Sequence, residues 1–134
     1  MAYLLDTCIL SLFARGDPAV QARLRATPPE QVCISVITAM EIEYGLQLNP
    51  HRAGKLRPVL EVLMNAARMV GYDRPAALAT ARIRAALRAQ GTPIGPYDAL
   101  LAGTALANGL VMVTANRTEF DRVAGLAVEN WSQR

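Results

Sequence analysis

The chain has 134 residues, 52% hydrophobic and 19% charged, enough to bury roughly two-thirds of the surface an unfolded chain exposes and too apolar to remain disordered. Its formal charge is +3 with Lys55 the only lysine, and its pI is about 9.2. An arginine-based excess admits nucleic acid as a partner, because guanidinium meets phosphate through two hydrogen bonds, but it serves equally well as solubilising charge. The most apolar window, Ala99 to Val113, contains Thr104, Asn108 and two glycines. It is shorter than the roughly 20 residues a membrane helix needs, and Asp6 interrupts the apolar start that a signal peptide would require. Cys8 and Cys33 are the only cysteines. With no CxxC and no framework they read as buried, reduced thiols of a cytoplasmic protein.

In chain order, Tyr3-Leu4-Leu5 predicts a short strand ending on Asp6. Thr7 is placed to cap a helix with Ile9, Leu10 and Phe13 inside and Gly16 at its end. Asp17-Pro18 starts a second helix carrying Val20 and Leu24, which Thr27-Pro28-Pro29 breaks. Val32 to Val36 predicts a buried strand. Ser35 or Thr38 then opens a helix with Ile37, Glu41, Tyr44 and Gly45 toward the sheet and Leu48 near its end, stopped by Asn49-Pro50. Residues 52–68 predict a helix with Leu56, Val59, Leu60 and Leu63 inward, followed by a strand at Met69 to Tyr72. Pro75 to Gln90 predicts an alanine-rich helix with Ala79, Ile83, Ala86 and Leu87 inward and Arg82, Arg84 and Arg88 on the opposite arc. That arc is a solvated face or, as the lesser alternative, a ridge that touches RNA.

Thr92 to Phe120 organises the rest. Gly95-Pro96 marks a helix start, because proline in the first turn loses no hydrogen bond, and it sets Asp98 where unpaired N–H groups and the helix dipole favour a carboxylate. Asn108-Gly109 reads as a left-handed end, Leu110 to Val113 as a strand covered on both faces, and Ala127 to Trp131 as a last edge strand. Strands alternate with helices at crossover lengths suited to parallel pairing. No repeat or linker divides residues 1–134. The expectation is a single α/β domain, three layers α/β/α around a mainly parallel sheet.

Sites in such sheets form beyond the carboxyl ends of the strands. Asp6 ends the first strand, Glu41 lies on the helix after the second, and Asp98 begins the helix before the Leu110 strand. Gathered without a counter-ion these acids repel, and at least one must take up a proton. A hard divalent cation removes the repulsion, and Mg²⁺ prefers such oxygens while keeping places for water and phosphate. Its natural chemistry is phosphodiester cleavage. His51 is the only histidine, so neither a zinc set nor serine catalysis has its partners, and no phosphate-binding glycine loop is present. Taken singly, each acid also has a structural role open to it: a helix cap for Asp6, a half-exposed surface acid for Glu41, a dipole partner for Asp98.

DTCIL at the start, SVITAMEIEYG in the middle and IGPYDALLAGTALANGLVMVTANRTEFDRVAGLAVENW at the end resemble the PIN-domain ribonucleases, in particular the VapC-type toxins of bacterial toxin–antitoxin pairs. The resemblance spans essentially the whole chain and implies Mg²⁺- or Mn²⁺-dependent endonucleolytic cleavage of RNA, often structured RNA such as tRNA. It implies Asp6, Glu41 and Asp98 as catalytic and metal-holding acids, with Thr7 and Thr114 supporting them. The family's fourth acid falls where Thr114-Ala115-Asn116 puts an amide, so Asn116 becomes a neutral ligand or orienting group, or Glu119 one helical turn later supplies the charge. Cys8 stands where a small polar residue is common. The resemblance further implies a homodimer and a VapB-like antitoxin that pushes a basic side chain into the acidic pocket.

Two other readings are weighed. A phosphoryl-transfer domain of the receiver or haloacid-dehalogenase kind would need a second acid at Cys8 or a lysine at a late strand end, and this chain has neither. A catalytically weak or inactive PIN-like module that binds RNA or protein is invited by the neutral Asn116.

Overall fold

The structure is a computed structural model that describes residues 1–132. In order it contains β1 (Tyr3–Leu5), α1 (Thr7–Ala14), α2 (Pro18–Arg25), β2 (Val32–Ser35), α3 (Val36–Leu48), α4 (Pro50–Ala66), β3 (Arg68–Val70), α5 (Arg74–Ala89), α6 (Pro96–Asn108), β4 (Val111–Val113), α7 (Arg117–Phe120) and β5 (Val128–Glu129). The five strands form one sheet in the order β3-β2-β1-β4-β5, and every pairing is parallel.

Strand periodicity splits the core in two. Leu5, Ile34 and Val113 point into one cluster with Ile9, Leu10, Leu24, Ile42 and Leu60. Their neighbours Leu4, Cys33 and Met112 point into the other, with Ile83, Leu87, Leu101 and Phe120. Helices α1 to α4 therefore cover one face and α5 to α7 the other, which is the expected three-layer α/β/α arrangement. Because both faces are covered, the central strands read as continuous apolar runs.

Local signals act as their chemistry dictates. Asp17, Asn49 and Asp73 cap α2, α4 and α5, each accepting from a backbone N–H three residues on. Gly109 ends α6 at φ 63°, ψ 35°, a conformation that a Cβ disfavours. Gly103, inside α6, lies against α5 so closely that a Cβ there would come within 2.8 Å of the Thr80 backbone nitrogen and 2.9 Å of the Ala76 carbonyl oxygen.

Several expectations change. Ser35 opens α3 by accepting from the Ile37 N–H at 3.0 Å, so β2 ends one residue before Val36. The buried arc of α3 is Thr38, Ile42 and Leu46, whereas Tyr44 is 62% and Leu48 67% exposed. The helix is apolar on nearly every side, so its periodicity does not pick out an inward face. Val59 on α4 and Ala86 on α5 are likewise exposed. β3 spans Arg68–Val70 instead of reaching Tyr72, and β5 narrows to Val128–Glu129. Trp131 then packs edge-on against Tyr3 with ring centroids 5.2 Å apart, beneath the Arg23 guanidinium at 4.9 Å. Cys33 is buried but Cys8 is exposed, since α1 turns its second residue outward. Among the described residues no helix is long and apolar enough to cross a membrane.

Candidate active site

The strand order fixes where the acids meet. The chain runs outward from β1 through β2 to β3 on one side and through β4 to β5 on the other, so the crevice beyond β1 and β4 is the switch point where α/β sheets place their sites. Leu5 pairs with Val113, and the Asp6 N–H donates to the Val113 carbonyl at 3.1 Å. Asp6 and Thr114 therefore leave adjacent strands side by side.

Asp6 is 7% exposed. It is itself the cap of α1, its Oδ1 accepting from the Ile9 N–H at 2.9 Å, which corrects the assignment of that role to Thr7. Burial pushes the Asp6 carboxyl above its usual range, the Thr114 hydroxyl and the Ile9 N–H pull it back, and the charge of Glu41 raises it again. Thr7, released from capping, donates its hydroxyl to Glu41 Oε1 at 3.0 Å. One hydrogen bond thus joins α1 to α3 and orients the second acid.

Asp98 lies in the first turn of α6, behind Pro96, as the sequence predicts. Glu119 on α7 approaches the same turn, and its Oε1 accepts from the Gly95 N–H at 3.0 Å. A Cβ at Gly95 would stand 3.7 Å from Glu119 Oε2 and 3.9 Å from Asp98 Oδ2, so both carboxyl groups converge over this glycine. Their carboxyls are pushed in opposite directions. Asp98 is pushed up to about 7, first by desolvation, then by the hydrogen bond and charge of Glu119, and then by the charges of Asp6 and Glu41. Glu119 is held below its usual range by that hydrogen bond, by the Gly95 N–H and by Arg122. Of the two, Asp98 is the acid that favours the proton, because it is the more desolvated while Glu119 accepts from the Gly95 N–H and lies near Arg122.

The four acids thus act on one another, and Asp98 feels all the others. Among the described residues no three histidine, cysteine, aspartate or glutamate side chains are placed to hold a metal ion together. The chemistry of the donor set still fits a hard divalent cation: it consists of carboxylate oxygens whose mutual repulsion a cation would neutralise. Asn116 takes a different position. It is exposed, its side chain makes no cap bond, and only its backbone joins the site, through an N–H donated to Thr114 Oγ1 at 3.0 Å. Cys8 has its thiol raised by partial burial and by the charge of Asp6, so it is not poised as a thiolate nucleophile.

Sequence reasoning missed four contributors. Gly95 anchors Glu119 through its N–H, although the sequence marks it only as a helix start. Arg122 lowers Glu119 and donates to the Pro93 carbonyl at 3.0 Å, and its place three residues after Glu119 was the available signal. Arg15 and Arg52 line a cleft of about 230 Å³ with Thr7 and Glu41. Arg15 caps the end of α1 and Arg52 lies on α4, and nothing local links them to the acids.

Comparison with known proteins agrees with this geometry. The PIN domain model matches residues 3–126. The chain is 37% identical over 132 residues to the tRNA(fMet)-specific endonuclease VapC of Shigella flexneri, covering 98% of this chain and 99% of that protein. It is 38% identical over 135 residues to the protein of the same name from Salmonella typhimurium, with 98% of each covered. Among solved structures it matches DNA-bound VapBC from Salmonella typhimurium at a TM-score of 0.89 and 36% identity, over 98% of both chains. VapBC2 from Rickettsia felis, bound to a DNA fragment from its promoter, matches at 0.89 and 26% over 98% of this chain and 99% of that one. With acids gathered at the switch point and a match that runs nearly end to end, this chain belongs to the PIN-domain family, among its VapC members.

Proposed function

We propose that this chain is an RNA-cleaving toxin: a Mg²⁺- or Mn²⁺-dependent endoribonuclease acting on structured RNA such as tRNA in the cytoplasm, and neutralised by a VapB-like antitoxin. The observation that carries the reading is geometric: Asp98 and Glu119 converge over Gly95, beside the strand end that carries Asp6 and the Glu41 held by Thr7. Relatives named as tRNA(fMet)-specific endonucleases at 37% and 38% identity support the substrate class.

Asp6, Asp98 and Glu41 would hold the cation, with Glu119 as the fourth acid in preference to Asn116. The chemistry such a cation supplies is activation of a water and stabilisation of the leaving oxygen during phosphodiester hydrolysis. The chain's own residues prepare for it. Burial and the Ile9 and Thr114 contacts fix Asp6 at the floor. Thr7 holds Glu41 by its Oε1. Gly95 holds Glu119 by its Oε1, beside Asp98. Deprotonated, Asp98 would be an anionic ligand for such a cation.

The same pocket explains inhibition. A guanidinium or ammonium supplied by an antitoxin would neutralise the acids as a metal does, and the cleft beside Thr7 and Glu41, floored by Leu56 and Leu60, gives an apolar segment somewhere to lie next to it. A homodimer is supported by the outer face of α3, where Val36, Met40, Tyr44 and Leu48 form an exposed stripe one turn apart.

The direct test is induced expression with cleavage of total RNA in Mg²⁺ and in EDTA. Wild-type protein should arrest growth and cut RNA only with the metal, and Asp98→Asn should abolish both while remaining soluble. An Asp98→Asn protein that stays folded, toxic and active removes the assignment. Tight RNA binding without metal-dependent products would instead favour a binding module.

A further inference from the structure

We infer that the groove between the second half of α5 and the segment leading into Gly95 is an RNA-backbone track, with Arg84 and Arg88 on consecutive phosphates beside the cleavage site. The inference rests on the RNA-cleaving reading and adds a binding surface to it.

The structure divides the arginine arc that the sequence presents as one ridge. Arg84 and Arg88 line a groove of about 660 Å³ with Ala85, Pro93 and Ile94, while Arg82 faces a separate groove of about 550 Å³ shared with Arg122 and Leu78. Arg84 and Arg88 are four residues apart, so they stand on one helix face with Cβ atoms about 5–6 Å apart, close to the step between successive phosphates on a nucleic-acid strand. Both are exposed, and neither takes part in an ion pair among the described residues. α5 itself, from Arg74 to Ala89, contains no acidic residue.

The groove also leads to the right place. Its wall residues Pro93 and Ile94 come directly before Gly95, whose N–H anchors Glu119, and Tyr97, 48% exposed, sits one residue before Asp98. Four carboxylates repel a polyanion, so a strand led into them needs cations on its flank as well as at its centre. The exposed Tyr97 ring next to the acids suits a stacked base and favours RNA over an acidic protein as the occupant.

The test compares Asp98→Asn with Asp98→Asn/Arg84→Gln/Arg88→Gln, so that bound RNA is not consumed. Binding of a single-stranded 20-nucleotide RNA is followed by fluorescence anisotropy from about 50 to 200 mM salt, with Arg25→Gln/Lys55→Gln on the same background as an equal-charge control. If the track exists, the groove variant binds roughly tenfold more weakly, and its salt slope is shallower by about 1.4, since each lost phosphate contact on single strands contributes about 0.7. The control should keep the slope. An unchanged slope in a groove variant that melts like its parent overturns the inference, as does an equal loss in the control, or a loss of polyglutamate binding with RNA binding intact. Failure of wild-type protein to cleave RNA would sink the nuclease reading alone, because the anisotropy result judges the groove separately.

Discussion

Asp6 has two tasks, and their combination explains its burial. As the cap of α1 it satisfies the Ile9 N–H, and as the innermost acid it adds its charge to an Asp98 carboxyl already raised by desolvation and by Glu119. That raised carboxyl has a pH signature. Asp98 rises from 3.8 to about 7 in the folded protein, so the native state binds this proton more tightly than the unfolded chain does. The resulting stability is complete below the unfolded value and is lost as pH climbs through 7. Metal-free protein should accordingly melt at a lower temperature at pH 8 than at pH 5.5, while added Mg²⁺ should raise the melting point more at pH 8, where it no longer competes with the proton. Glu119→Gln should flatten the metal-free pH dependence, because it removes the nearest charge acting on Asp98. A slope identical to wild type would show that the two are not paired. Thr7→Val should lower cleavage about tenfold with little change in folding, since a supporting partner of a metal-holding carboxylate is worth about 10–100-fold. Full activity in that variant would mean that Glu41 needs no anchor.

Elements position these residues through close contacts, and α5 against α6 is the tightest. Gly103 lets the helices approach until a Cβ would collide with the Thr80 side chain and with backbone atoms of Thr80 and Ala76. The Thr80 hydroxyl donates to the Ala76 carbonyl at 2.8 Å and accepts from Tyr72 at 2.9 Å, so it is not free to move aside. Gly103→Ala should cost about 2 kcal/mol by overpacking, which a lower midpoint in denaturant would register. Because α6 carries Asp98, the same variant should also weaken metal-dependent cleavage, and a neutral outcome in both assays would show that the helices can part without loss. The helical elements were legible from their caps and prolines: Asp17-Pro18, Asn49-Pro50 and Gly95-Pro96 each act as local chemistry requires. The inward face of α3 was not legible. VITAMEIEYGLQL is apolar on most sides, and only the docked neighbours decide that Thr38, Ile42 and Leu46 go inside.

At the scale of the whole molecule, the sheet gathers what the chain keeps apart. The exposed stripe Val36, Met40, Tyr44 and Leu48 starts next to the acid site, so a second copy seated there would bring two sites close together. Met40→Glu should convert a dimer to a monomer in light scattering, with its melting curve otherwise retained. If the mass stays that of a dimer, the pairing uses another face. The C-terminal end closes the opposite side of the sheet, where the Trp131 indole N–H and the Arg23 guanidinium both reach Glu129 Oε1, at 3.0 Å and 2.8 Å. No local pattern links Trp131 to Tyr3 and Arg23, since those contacts cross more than a hundred residues.

The sequence alone was enough for the alternation of strand and helix and the parallel sheet, because caps, prolines and buried strand runs are local, and it singled out Asp6, Glu41 and Asp98 as candidates. Only the tertiary structure decided the β3-β2-β1-β4-β5 order, the capping by Asp6 that frees Thr7 for Glu41, the convergence of Asp98 and Glu119 over Gly95, and the separation of Arg82 from Arg84 and Arg88. Each of these depends on which distant segments touch, and a one-dimensional pattern carries the periodicity of an element but not the identity of its neighbour.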